Sequence, residues 1–107
     1  MDRTIKLYLD DERVQPDGWT RVKTAKRAIE YLETGMVNQI SLDHDLGNDD
    51  AGTGYDVICW IEKQVALTNF NPPTISIHSA NSSAVQKMKL AHQSISRLLL
   101  KKSKDLS

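Results

Sequence analysis

The 107-residue sequence predicts an α/β domain on a mostly parallel sheet of about four strands. Two observations lead there. Short apolar runs alternate with amphipathic segments of helical period, the order in which helices connect parallel strands. The runs Leu7-Tyr8-Leu9, Ile40-Ser41-Leu42 and Ile75-Ser76-Ile77 all end in polar, titratable residues. The length fits a single domain over 1–107 with a modest core.

Taken in order, Ile5 to Leu9 accumulates apolar character, as a strand covered on both faces would. Asp10 to Gly18 is a polar loop, with turn chemistry at Pro16-Asp17-Gly18. Trp19 to Val22 reads as a short strand. Thr24 is placed to cap a helix, its hydroxyl accepting from a first-turn amide. Ala25, Ala28, Ile29 and Leu32 then recur at helical spacing, with Lys26, Arg27, Glu30 and Glu33 on the other face. Gly35 suits the position just past the helix end. Gln39 to Leu42 is the next strand, followed by Asp43-His44-Asp45 and Gly47, where the backbone can turn away.

Gly47 to Gly54 is a polar loop. Tyr55 to about Ala66 forms a second helix, with Ile58, Ile61 and Val65 on one face and Val57 and Trp60 at its edges. Two prolines, Pro72 and Pro73, keep the next loop extended. Thr74 to Ile77 is a strand. Asn81 or Ser82 caps a third helix whose stripe is Val85, Met88, Ile95, Leu98 and Leu99, and 101–107 reads as a frayed basic tail.

Composition excludes several classes. Charged residues make up 26% and balance to zero, so no bulk field draws the chain to nucleic acid or to an anionic membrane. Aromatics are only 6%, too few for a base-stacking DNA or RNA platform. No apolar run is long enough to span a bilayer. The opening MDRTIKLYLDDE lacks a signal-type apolar segment, and the one cysteine, Cys59, cannot form an internal disulfide. A cytoplasmic location is the expectation.

Ligands of parallel α/β sheets bind at the carboxyl ends of the strands, where the strand order reverses. Residues near 11, 44 and 79 should therefore meet in one crevice. Asp10, Asp11 and Asp43 repel one another unless a cation compensates, and an oxygen-only set suits a hard ion, magnesium before manganese. The alternative is a solvated turn in which Arg13 pairs with one acid. His44 and His78 each close a strand and titrate near neutrality, as a general acid and base must. A lone histidine there is more often structural, and strand alternation would point His44 away from Asp43 and Asp45. Thr53, in a glycine-flanked approach to a helix, together with Ser79 and Asn81, is placed to meet a phosphate, and Arg13 to clamp it. A flexible loop and a helix cap explain the same residues. Trp19 and Trp60 read as core or edge residues and His92 as a packed one.

LYLDDER, SLDHDL and IHSAN resemble the first, third and fourth strands of response-regulator receiver domains. That fold is a flavodoxin-like three-layer sandwich. The resemblance puts Asp10 and Asp11 at its metal-binding acids, Asp43 at its phospho-acceptor and Ser79 at its phosphate-sensing hydroxyl. Some features depart from it. Only about ten residues separate Leu9 from Thr20, too few for a crossover helix. The last strand with its lysine is missing, and two histidines are added. LDDER, LDHDLG, GTGYDV and HSAN together are closely similar to a divergent branch, the cyclic-phosphate processing receiver domain, over roughly Lys6 to Met88. The branch implies a stand-alone domain whose histidines act on a cyclic phosphate drawn from nucleotide or NAD-derived metabolism.

The expected function is a metal-assisted phosphodiesterase for a small, nucleotide-like cyclic phosphate. Asp10, Asp11 and Asp43 would hold the ion; His44, His78 and Asp43 would be catalytic; Arg13, Thr53, Ser79 and Asn81 would bind the phosphate. Two rivals stand beside it: a signalling receiver phosphorylated on Asp43, and a silent module that binds a nucleotide or protein. The chain would be a monomer or, through its last helix, a dimer.

Overall fold

The computed structural model of the chain describes residues 3–47 and 49–106. Its elements run β1 (Ile5–Leu9), β2 (Thr20–Val22), α1 (Ala25–Glu33), β3 (Val37–Leu42), a short 3-10 turn (Asp49–Ala51), α2 (Gly54–Leu67), β4 (Thr74–Ile77) and α3 (Ser82–Leu106). The four strands form one parallel sheet in the order β2-β1-β3-β4. Strand count, direction and the receiver-like α/β plan are as the sequence predicts.

Layering is where the sandwich expectation needs correction. The chain crosses from β2 over β1 to β3, and then from β3 to β4, in one direction across the sheet. Right-handed crossovers in one direction place their helices on one face. α1 and α2 accordingly lie side by side, and α3 continues the layer against α2 and β4. The β1–β2 connection runs the other way and would put a helix on the opposite face, but it contains none. Among the described residues the helices form one layer on the sheet, not two.

Register shows the consequence. Leu7, Ile40 and Ile75 line up across β1, β3 and β4, as do Leu9, Leu42 and Ile77. These rows point into the helices, where Ala28, Leu32, Val57, Ile58, Ile61, Val65, Met88 and Ile95 complete one core. Burying each large aliphatic contributes about 1.5–3 kcal/mol. The alternate row, Tyr8, Ser41 and Ser76, lies on the other face, with Lys6 and Thr74 exposed beside it. β1 is therefore covered on one face, not on both.

The helix ends follow local chemistry. Thr24 Oγ1 accepts from the Arg27 amide, as expected. Asn81 is the cap of α3: its Oδ1 accepts from the Ala84 amide. The segment expected to fray is helical through Leu106. Leu98 packs on the core and Lys102 Nζ donates to the Thr68 carbonyl at 2.6 Å. Ser107 of that tail and Asn48 of the loop before α2 lie outside the described residues. No helix among the described residues is long and apolar enough to cross a membrane.

Candidate active site at the carboxyl edge of the sheet

The strand order reverses at β1, since β2 lies on one side and β3 on the other. The carboxyl ends of β1 and β3 open there, and Asp10 and Asp43 directly follow them. A cleft of about 240 Å³ at this edge is lined by Asp10, Asp11, Glu12, Arg13, Asp43, Asp45, Gly47 and Ala80. One carboxylate oxygen from each of Asp10, Asp11 and Asp43 lies within 4.8 Å of the others.

Asp10 is the anchor of the group, with 1% of its surface exposed. Its Oδ1 accepts from the Glu12 and Arg13 amides, both at 2.8 Å, and so shapes the turn after β1. Its Oδ2 meets His78 Nε2 at 3.1 Å. Burial works to raise its pKa, but the two amides and His78 outweigh it and hold the carboxyl below its usual range. Arg13 Nη1 lies 3.9 Å from Oδ2 and donates to the His78 carbonyl. The guanidinium thus sits on the rim of the cleft, half exposed.

Two glycines let the tips converge. Gly47 has φ 77°, and a Cβ there would stand 2.5 Å from Asp11 Oδ2. Gly54, the first residue of α2, is close enough to β3 that a Cβ would fall 2.0 Å from the Asp43 carbonyl oxygen. Its amide donates to the His44 carbonyl at 3.3 Å, and an isolated bridge joins Asp45 to Thr53. α2 is thereby pinned against the Asp43-His44-Asp45 tip.

The two histidines take different places. His44 faces a neighbouring pocket of about 210 Å³ with Asn81, Ser83, Ala84 and Lys87. Its Nδ1–H donates to Asp45 Oδ1 at 2.8 Å. Asp43 and Asp45 both line the acidic cleft, and His44 does not. Asp45 is the wall between the pockets, since Asn81 Nδ2 also reaches it at 3.4 Å. The His44 hydrogen bond, opposed by burial and aided by Asn81, holds the Asp45 carboxyl below its usual range. His78 lies on the open sheet face, stacked on Tyr8 at 4.3 Å, with Nδ1 2.6 Å from Ser41 Oγ.

The phosphate-facing candidates divide as well. Thr53 caps α2: its hydroxyl accepts from the Asp56 amide while Asp56 Oδ2 accepts from the Thr53 amide. This capping box engages the atoms expected to meet an anion. Ser79 Oγ accepts from the Asn81 amide. Asn81 uses Oδ1 for its cap and turns Nδ2 toward Asp45. The sequence pattern assigns no role to Asp45, Glu12, Ser41 or Lys87. Asp45 and Ser41 share the two-residue spacing of Asp43 along the strand, the one signal that pointed to them.

The donor set fits a hard divalent cation. Three carboxylates converge, and Gly47 leaves the space a side chain would fill. A single parallel sheet with an acid group at its carboxyl edge is consistent with a receiver-type domain. The family model of the cyclic-phosphate processing receiver domain matches residues 5–94, and the chain belongs to that family. Neither curated proteins nor solved structures yield a match.

Proposed function

We propose that this domain hydrolyses one ester bond of a cyclic phosphate on a small nucleotide-like ligand, with a divalent cation, magnesium or manganese, held by Asp10, Asp11 and Asp43. The observation that carries this reading is the pairing of two chemistries across Asp45. Acid oxygens within 4.8 Å of one another lie on one side, and an imidazole lies on the other. When bound, the cation supplies charge neutralisation for the phosphoryl oxygens.

The chain's own groups do the rest. Arg13, on the rim, clamps a non-bridging oxygen. Asp43 orients the attacking water. His44, with Nδ1 engaged by Asp45, moves protons through Nε2 and protonates the departing alkoxide, a poor leaving group without that proton. Water's oxygen bonds to phosphorus as one ring P–O bond breaks, and a phosphomonoester with a free hydroxyl results. Asn81, which lines the pocket with His44, orients the ligand there. Thr53 is assigned to the helix cap and His78 to holding Asp10.

The test is chromatography of cyclic nucleotides and ADP-ribose cyclic phosphate incubated with the protein and manganese. A monoester product is expected, lost in Asp43→Asn. A parallel incubation with acetyl phosphate separates the signalling rival: a stable gain of one phosphoryl mass on Asp43, without turnover of any diester, would favour a phospho-accepting receiver instead. Ligand-induced stabilisation without turnover, unaffected by His44→Ala, would favour a silent binding module.

A further inference from the structure

Asp10 can only accept hydrogen bonds when ionised, so the His78 nitrogen facing it, Nε2, carries the proton. In the neutral ring Nδ1 is then an acceptor, and Ser41 Oγ, 2.6 Å away, donates to it. A directed chain results: Ser41 hydroxyl to His78 ring to Asp10 carboxylate. Register explains its assembly. Ser41 pairs with Ser76 across β3 and β4, and His78 stands two residues beyond Ser76 on the same face. The ring is fixed from a third side by its stack on Tyr8.

A carboxylate has about four acceptor positions. On Asp10 the two amides take Oδ1, and His78 takes one position of Oδ2. What remains for a cation is the other position of Oδ2, and the direction of the His78 bond decides where it points. We propose that Ser41 and His78 are a positioning pair that sets the affinity of the acidic site for a divalent cation by holding Asp10 in a single orientation. This rests on the cation-binding part of the reading above, not on its turnover. It gives His78 a role other than proton transfer to the ligand, and gives Ser41 a role at a site it does not touch. Partners behind metal ligands typically govern affinity by about 10–100-fold.

The experiment is calorimetric titration of manganese into the full chain and four variants, with folding followed by circular dichroism. His78→Ala and His78→Phe should both weaken binding by about 10-fold or more. The phenylalanine keeps a ring against Tyr8 but lacks the donor, so packing is separated from hydrogen bonding. His78→Gln places an amide N–H near the Nε2 position and should recover most of the loss. Ser41→Ala should weaken binding by a smaller factor. Nitrogen NMR of the wild-type ring at neutral pH should show the Nε2–H tautomer, and Ser41→Ala should mix the tautomers; this holds the test open if a His78 variant unfolds. Wild-type affinity in folded His78→Phe, no recovery in His78→Gln, or the Nδ1–H tautomer in the wild type would each overturn the proposal. If manganese does not bind the wild type, the proposal and the metal-assisted reading fall together. If it binds as described and no diester turns over, only the reaction falls.

Discussion

Replacing Gly54 by alanine sets two effects against each other, and the structure decides the sign. Helix propensity favours alanine over glycine by up to about 1 kcal/mol. Gly54 begins α2 and is not among the positive-φ glycines, so backbone strain does not oppose the change. Space does. The new Cβ would lie 2.0 Å from the Asp43 carbonyl oxygen, about 1 Å inside the 3.0 Å that real contacts respect, and 2.9 Å from Met88 Cε. The methionine can yield; a backbone carbonyl at the end of a central strand cannot. Overpacking of this kind costs about 1–3 kcal/mol, and the rigid neighbour places it at the upper end. The net expectation is a loss of about 2 kcal/mol, a fall of roughly 10 °C in Tm for a domain of this size. The strain falls on the Asp43 tip, so manganese affinity should drop in the protein that remains folded. Thermal unfolding by circular dichroism, paired with calorimetry, measures both. A Gly54→Ala protein as stable as the parent, binding manganese equally well, would refute the close approach of α2 to β3.

Other outcomes follow from the same geometry. Thr53→Ala should cost about 1 kcal/mol through loss of the capping box, read by urea unfolding, with KM for any turned-over ligand unchanged. His44→Ala should lower kcat by about 10²–10⁴-fold while manganese affinity stays within a few-fold, since His44 lies outside the acidic cleft. The folded-state pKa of Asp10 is depressed, so its contribution to stability is present above the unfolded value of about 3.9 and disappears as pH falls through the lower folded value. Metal-free wild type should therefore lose Tm over that acid window more steeply than Asp10→Asn; equal slopes would show that Asp10 is not held by its amides and His78.

Much of this fold is written locally. The bounds of β1 and β4 coincide with apolar runs broken by loop residues, and Thr24 caps α1 because its hydroxyl needs only the next turn. Layering is not local. Leu7-Tyr8-Leu9 looks like a strand buried on both faces because a tyrosine ring counts as apolar, yet that ring lies on the open face against His78 and Trp19. Which face is covered depends on the direction of each crossover, and so on strand order. The acid group was legible because aspartates at strand tips converge in any parallel sheet. The partners of His78 were not, because Ser41 and Asp10 reach it through inter-strand register. Thr53 shows a different ambiguity: glycine-flanked threonine before a helix suits an anion loop and a capping box alike, and Asp56 three residues on decides for the box. Lys102 meets Thr68 across 34 positions of sequence, a contact no local pattern announces.

The cyclic-phosphate reading is tested most directly by a phosphorus NMR time course. A 2′,3′-cyclic nucleotide or ADP-ribose cyclic phosphate is followed with the full chain and magnesium. The cyclic diester resonance should be replaced by that of a monoester, and conversion should stop on chelation and in Asp43→Asn. An unchanged diester signal across these ligands, from folded protein that calorimetry shows to hold the cation, would contradict it.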